Sequence, residues 1–177
     1  MSSDQDRSLQ MLSTALEMEK KGADFYDKAV SECQNELGRE MFRMLMKEEL
    51  IHMDRILKIY EVLKAGKAWS DEWRSIKSEH KDIGVLFKEM ASAHGQDITA
   101  TTSDMEALDV GIDFESRAIT FYQEHLSKAE DSLELEFLEQ LIKEERGHHA
   151  ALSDMKLYFS DSASWFAEME RSGLDGA

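Results

Sequence analysis

Two pentapeptides, EELIH at 48–52 and EERGH at 144–148, each set a glutamate three residues ahead of a histidine. On a helix, residues three apart share a face about one turn apart, so Glu49 with His52, and Glu145 with His148, form oxygen-plus-nitrogen pairs of the kind that grip a metal ion. Adding 96 to a residue number carries one pair onto the other, and the same shift places Leu12 on Leu108, Glu19 on Glu115, Phe25 on Phe121, Tyr26 on Tyr122 and Leu45 on Leu141 without a gap. Leu16 with Ile112, Ala23 with Ile119, Val30 with Leu126 and Ile56 with Leu152 match in type. The halves read as two copies of one helix hairpin.

What both copies keep points to the chemistry. Glu19, Glu49, Glu115 and Glu145 interrupt apolar stripes, where an unpaired carboxylate costs roughly several kcal/mol. Two divalent cations would balance those four charges and leave His52 and His148 as neutral nitrogen donors. Oxygen-rich ligation with one imidazole per ion suits iron or manganese better than a structural zinc site, although zinc can substitute. Iron changes oxidation state, and two neighbouring irons can deliver two electrons to O₂ or peroxide, so redox chemistry is the natural use.

Tyr26 and Tyr122 follow Glu19 and Glu115 by seven residues and return to nearly the same face. They read either as catalytic phenols bonded to a ligand or a bound oxygen species, or as core tyrosines with satisfied hydroxyls. His149 competes with His148, being four residues from Glu145, but its counterpart in the first copy is Met53. Glu48 and Glu144 sit about 100° round the helix from the candidate ligands and read as solvated or outlying groups. His80, His94 and His125 lack a matched carboxylate and read as surface residues, and the eleven methionines as core filler.

The elements that must position these groups are four helices. Apolar periodicity marks 8–32 (Leu12, Leu16, Glu19, Ala23, Tyr26, Val30) and 36–65 (Met41, Leu45, Glu49, His52, Ile56, Ile59), the second opened by an Asn35 cap and stopped by Gly66. It also marks 103–126 (Leu108, Ile112, Glu115, Ile119, Tyr122, Leu126), opened by a Ser103–Glu106 capping box, and 133–160 (Phe137, Leu141, Glu145, His148, Leu152, Met155). The connection 66–102 is too long for a structureless loop and predicts one or two short helices. The stretch SASWFAEMER predicts another, with Trp165 and Phe166 closing one end of the bundle.

The 177 residues contain no proline, 42% are hydrophobic and 33% charged, which predicts an all-α protein of a single domain. A net charge of −16 opposes nucleic acid and anionic lipid alike. Cys33 is the only cysteine, so no intrachain disulfide and no thiolate cluster forms; it reads as a partly buried residue at a helix end. The polar start MSSDQDRSLQ and the lack of a long apolar run predict a cytoplasmic location.

The stretches EKKGADFYDKAV and ESRAITFYQEHL, each leading to EExxH, resemble the two half-repeats of the rubrerythrin family within the ferritin-like superfamily. The resemblance covers essentially the whole chain. It implies a ferritin-like four-helix bundle of two duplicated hairpins joined by a long crossover, a di-iron centre, and reduction of hydrogen peroxide. It further implies that Glu49 and Glu145 bridge the irons, while Glu19 with His52 and Glu115 with His148 complete one iron each. Members commonly carry a rubredoxin with two CxxC knuckles, absent from these residues, so the expected partner is a separate electron donor such as rubredoxin. They also carry a further glutamate three residues after the third-helix ligand, where this chain has Ala118. That leaves a more symmetric, bacterioferritin-like site and keeps a ferroxidase or iron-storage role open, alongside a purely structural bundle. A homodimer or small homo-oligomer is expected.

Overall fold

The computed structural model describes residues 3–78 and 82–174, so His80 and the last three residues lie outside the described residues. The order is α1 (Ser3–Glu32), α2 (Glu36–Lys64), a 3-10 turn (Glu72–Ser75), α3 (Ile83–His94), α4 (Thr102–Leu126), α5 (Ser132–Ser160) and α6 (Ser162–Leu174). No strand occurs among the described residues, and none of the helices is long and apolar enough to cross a membrane.

The boundaries follow local chemistry. The Asn35 side chain accepts from the Gly38 amide at 3.0 Å, and Gly66, with φ of 75°, turns the chain away just beyond α2. The capping box of α4 sits on Thr101 and Asp104, two residues ahead of the expected Ser103 and Glu106. There the Asp104 carboxylate accepts from the Thr101 amide at 2.9 Å and also from the Gln34 amide at 3.1 Å, tying the start of α4 to the α1–α2 turn. The first helix likewise begins before residue 8. Arg7 pairs with buried Glu134 at 2.9 Å, and Ser8 donates to the same carboxylate at 3.0 Å. Those tertiary bonds hold a turn that periodicity does not announce.

α1 packs along α2, and α4 along α5; the hairpins meet through α1 with α4 and α2 with α5. The crossover helix α3 lies against α5 and α2, and α6 against α5. Trp165 is buried beside Tyr158 and Phe87, with ring centroids 5.2 and 5.8 Å away.

The stripe expected on α4 is corrected in part. Gly111 and Ala118, not Ile112 and Ile119, accompany Leu108, Glu115 and Tyr122 into the core, and Leu126 is only half-buried. A Cβ on Gly111 would stand 3.2 Å from Leu152 of α5, so closeness of the backbones rather than apolar bulk selects that face.

Buried apolar residues form two clusters. One gathers Met11, Leu12, Ile56, Ile59, Tyr122, Phe137 and Leu141; the other Tyr26, Met41, Leu45, Leu108, Leu152 and Met155. Along each of α1, α2, α4 and α5, the chain passes from one cluster to the other through Glu19, Glu49 and His52, Glu115, or Glu145 and His148. The fold therefore clamps a polar belt between two apolar blocks.

Candidate metal centre

All six belt residues are buried, with exposures of 0–4%. Glu19, Glu49, His52 and Glu145 bring one ligand atom each within 4.8 Å of one another, and Glu49, Glu115, Glu145 and His148 do the same. The two groups share Glu49 and Glu145. His148 enters and His149 does not, because positions 145 and 148 face the core together while 149 turns toward the surface.

Both imidazoles aim Nδ1 inward. His52 Nδ1 lies 3.4 Å from Glu19 Oε2 and 3.0 Å from Glu145 Oε1; His148 Nδ1 lies 3.3 Å from Glu145 Oε2 and 3.5 Å from Glu49 Oε1. The rings stack at 5.4 Å with an interplanar angle of 18°. The tyrosines cross between the hairpins: Tyr26 on α1 donates to Glu115 on α4, and Tyr122 on α4 donates to Glu19 on α1. Burial, then the nearby carboxylates, holds both phenols well above their ordinary pKa, so they stay protonated as donors.

Burial and the neighbouring carboxylates also raise Glu49 and Glu115 well above the usual range. Burial pushes Glu145 the same way, but His52 and His148 outweigh it and hold that carboxyl well below the range. For His52, burial favours the neutral ring, and Glu145, Glu144 and Glu19 reverse the sign, raising it. Protonation is thus favoured at Glu49 and Glu115 and disfavoured at Glu145.

Whether the belt fits metal is decided by atoms left without a partner. Both oxygens of Glu49, both of Glu145, Oε2 of Glu115 and Nδ1 of His148 are buried and make no hydrogen bond. His52 Nδ1, by contrast, has Glu19 Oε2 as a partner at 3.4 Å. Buried acceptors are normally satisfied, and a group of this size facing one space calls for a cation. Carboxylate oxygens with one imidazole per position fit iron or manganese.

A family model described as Rubrerythrin matches residues 10–156, a span that includes every belt residue. The chain belongs to the rubrerythrin family. Comparison with curated proteins and with solved structures returns no match. Rubrerythrin membership implies a di-iron centre and, at a coarse level, oxidoreductase chemistry. The belt is a buried group able to hold such a centre.

One neighbour, matched by Glu48 in the repeat but set about 100° round the helix from the ligands, does more than its angle suggests. Glu144 accepts from His52 Nε2 at 3.0 Å, from Arg55 at 2.6 Å and from Gln140 at 2.7 Å. Burial would raise its pKa, yet His52, Arg55 and Gln140 bring it down to about 2. It is no merely solvated residue: it fixes the ring that aims at the belt. Arg55 and Gln140 have Ala151 and Met44 as repeat counterparts, so a search for matched pairs discards them. The signal available was a charge at a buried register position of α2. Glu48, also buried, instead accepts from Ser78 in the crossover. Among the other histidines, His94 is exposed, whereas His125 is half-buried against Phe121. Cys33 is buried at 4% exposure, and burial first of all pushes its thiol up to about 11, leaving it inert.

Proposed function

We propose that this protein is a non-haem di-iron oxidoreductase that reduces hydrogen peroxide with electrons from a separate donor protein. The observation that carries the reading is the pair of overlapping ligand groups with shared Glu49 and Glu145 and their unpartnered atoms. In this reading Glu49 and Glu145, common to both groups, would be shared between two ions, Glu19 and His52 would hold one, and Glu115 and His148 would hold the other. A di-iron centre held by these residues would supply the two electrons that, with two protons, reduce one hydrogen peroxide to two waters.

The rest is done by the chain. Tyr26 and Tyr122 hold the outer carboxylates from the opposite hairpin and keep a proton on each phenol beside Glu115 Oε1 and Glu19 Oε1. That places proton donors at both ends of the site. The apolar blocks on either side exclude bulk water. One cysteine among these 177 residues cannot assemble a thiolate redox centre, and the electron source proposed is a donor protein such as rubredoxin.

Anaerobic loading should approach two irons per chain, and stopped-flow mixing should show oxidation by peroxide outpacing oxidation by O₂, with turnover only when a reductant is supplied. Rapid O₂ consumption with slow peroxide reaction and accumulating ferric mineral would replace this reading with a ferroxidase role.

A further inference from the structure

Of the six belt residues, His148 reaches furthest outward: it is 4% exposed, where the other five stand at 0–1%. It lines a cleft of about 150 Å³ together with Glu48 of α2, Ser78 of the crossover, and Lys143, Glu144 and Gly147 of α5. That volume holds several water molecules, or an ion with part of its hydration shell. Apolar clusters close the belt on two sides, and a cation does not cross packed hydrocarbon, so an ion bound for the belt needs a polar way in.

The duplicated half is an internal control, because there the corresponding place is shut. On the His52 side, Nε2 at the outer edge of the ring donates to Glu144, which Arg55 and Gln140 hold in place. The repeat sets Glu48 to do the same for His148, yet Glu48 accepts from Ser78 instead. Its second oxygen, Oε2, and His148 Nε2 are left without a hydrogen bond among the described residues. Glu48 is only 6% exposed, so a nearly buried carboxylate with a spare oxygen stands on the same cleft as the imidazole. The wall differs as well. Gly147 occupies the register position of Ile51 in the first copy, and a Cβ there would meet nothing within 4 Å.

We propose that this cleft is the port by which divalent cations enter the belt, arriving on the His148 side; this rests on the reading of the belt as a two-metal centre. Glu48 is the residue that draws the ion in. Glu144 is already occupied by His52 and Arg55, and Lys143 at the cleft stands against entry, so the spare oxygen of Glu48 is the anionic group left to replace lost hydration on the way to His148. Gly147 keeps the way open. Two departures from the repeat, a glutamate turned to Ser78 and a glycine in place of isoleucine, thus serve one end on one side of the centre.

Stopped-flow uptake of Co²⁺ by the metal-free full chain, followed by the visible absorbance of the bound ion, tests this without any redox step. Gly147→Ile puts the residue of the first copy into the opening, so that uptake waits on local opening of the fold and should slow at least about 10-fold, with the same cobalt content at equilibrium. Glu48→Gln keeps the shape and removes the charge, and should slow uptake about 5- to 10-fold, again with the end point unchanged. Ile51→Ala, on the other side of the centre, should leave the rate within about twofold of wild type. Glu48→Gln carries the test alone if Gly147→Ile does not keep native helical circular dichroism. Full cobalt content reached at the wild-type rate in both the Gly147 and Glu48 variants overturns the port and leaves the metal reading standing. A wild-type chain that takes up no cobalt at equilibrium overturns both.

Discussion

Glu49→Leu separates the cost of the belt from its use. Glu49 has no exposed surface, neither oxygen has a hydrogen-bond partner, and Glu19, Glu115 and Glu145 crowd it with like charge. Without metal this group opposes folding. Replacing a buried ionic group by an apolar one of similar volume is typically neutral to stabilising, by roughly 1–4 kcal/mol. Its raised pKa lets Glu49 take up a proton instead of remaining charged, which places the gain toward the lower part of that range, about 1–2 kcal/mol. For a chain of this length the melting temperature of metal-free protein should rise by about 2–8 °C. The same substitution removes a ligand from both metal positions, so iron content after anaerobic loading should fall from two per chain to below one, and the added stability conferred by iron should vanish. Calorimetry in chelator and in ferrous iron, paired with elemental analysis, reads both effects. A variant that melts several degrees lower without metal yet still holds two ions would refute the reasoning, because Glu49 would then be a structural group and no bridge.

The crossed phenols predict crossed effects: Tyr26→Phe should weaken iron binding about 10-fold in a His52→Ala background, where the Glu115 position remains, and little in a His148→Ala background. Isothermal titration under anaerobic conditions reads this, and equal effects in both backgrounds would contradict the assignment. Gly22→Leu should cost roughly 1–3 kcal/mol and displace metal, since a Cβ there meets the Phe114 ring at 2.6 Å and Glu49 Oε2 at 3.1 Å. Gly147→Ala, with nothing within 4 Å, should instead stabilise by roughly 0.5–1 kcal/mol, both variants being read by urea unfolding. Glu144 is held at about 2 against an ordinary 4.5, so its contribution to metal-free stability is full above the ordinary value and lost as pH falls toward the lower one. Glu144→Gln should remove that loss, on the order of 3 kcal/mol, from urea unfolding measured across this interval; parallel losses in variant and wild type would count against the His52–Arg55–Gln140 environment.

Much of the fold was legible because the cues are local or repeated. The Asn35 cap, the stop at Gly66 and the inward stripes of α2 and α5 need only helical periodicity and terminal chemistry, and the shift of 96 superposes both hairpins. What escaped depends on tertiary contact. Asp104 caps α4 two residues early because Gln34 offers a second donor, and α1 starts early because Glu134 waits for Arg7 and Ser8. On α4, Gly111 and Ala118 lie inward because neighbouring helices leave no room for bulk, which no apolar scale encodes. At the candidate site, the six belt residues came from symmetry; Glu144, though matched by Glu48, was set aside for its angle round the helix, and Arg55 and Gln140 have no matching counterpart.

That contrast bears on how a duplicated hairpin specialises. The belt is alike in both halves, but what surrounds it is not. His52 is backed by Glu144, itself held by Arg55 and Gln140, whereas the counterparts of Arg55 and Gln140 on the His148 side are an alanine and a methionine. A fixed, charge-backed imidazole is a better donor than one left to its own rotamer, so the two metal positions, though matched in ligand type, should differ in affinity. The same divergence reaches the surface, where the exposed Leu50 and Leu57 of α2 stand at register positions that are Arg146 and Ser153 on α5. Two ions with one shared pair of carboxylates require matched halves at the centre. Nothing requires it one layer out, and there the first hairpin has acquired the exposed leucines, while the residues fixing its histidine come from both hairpins.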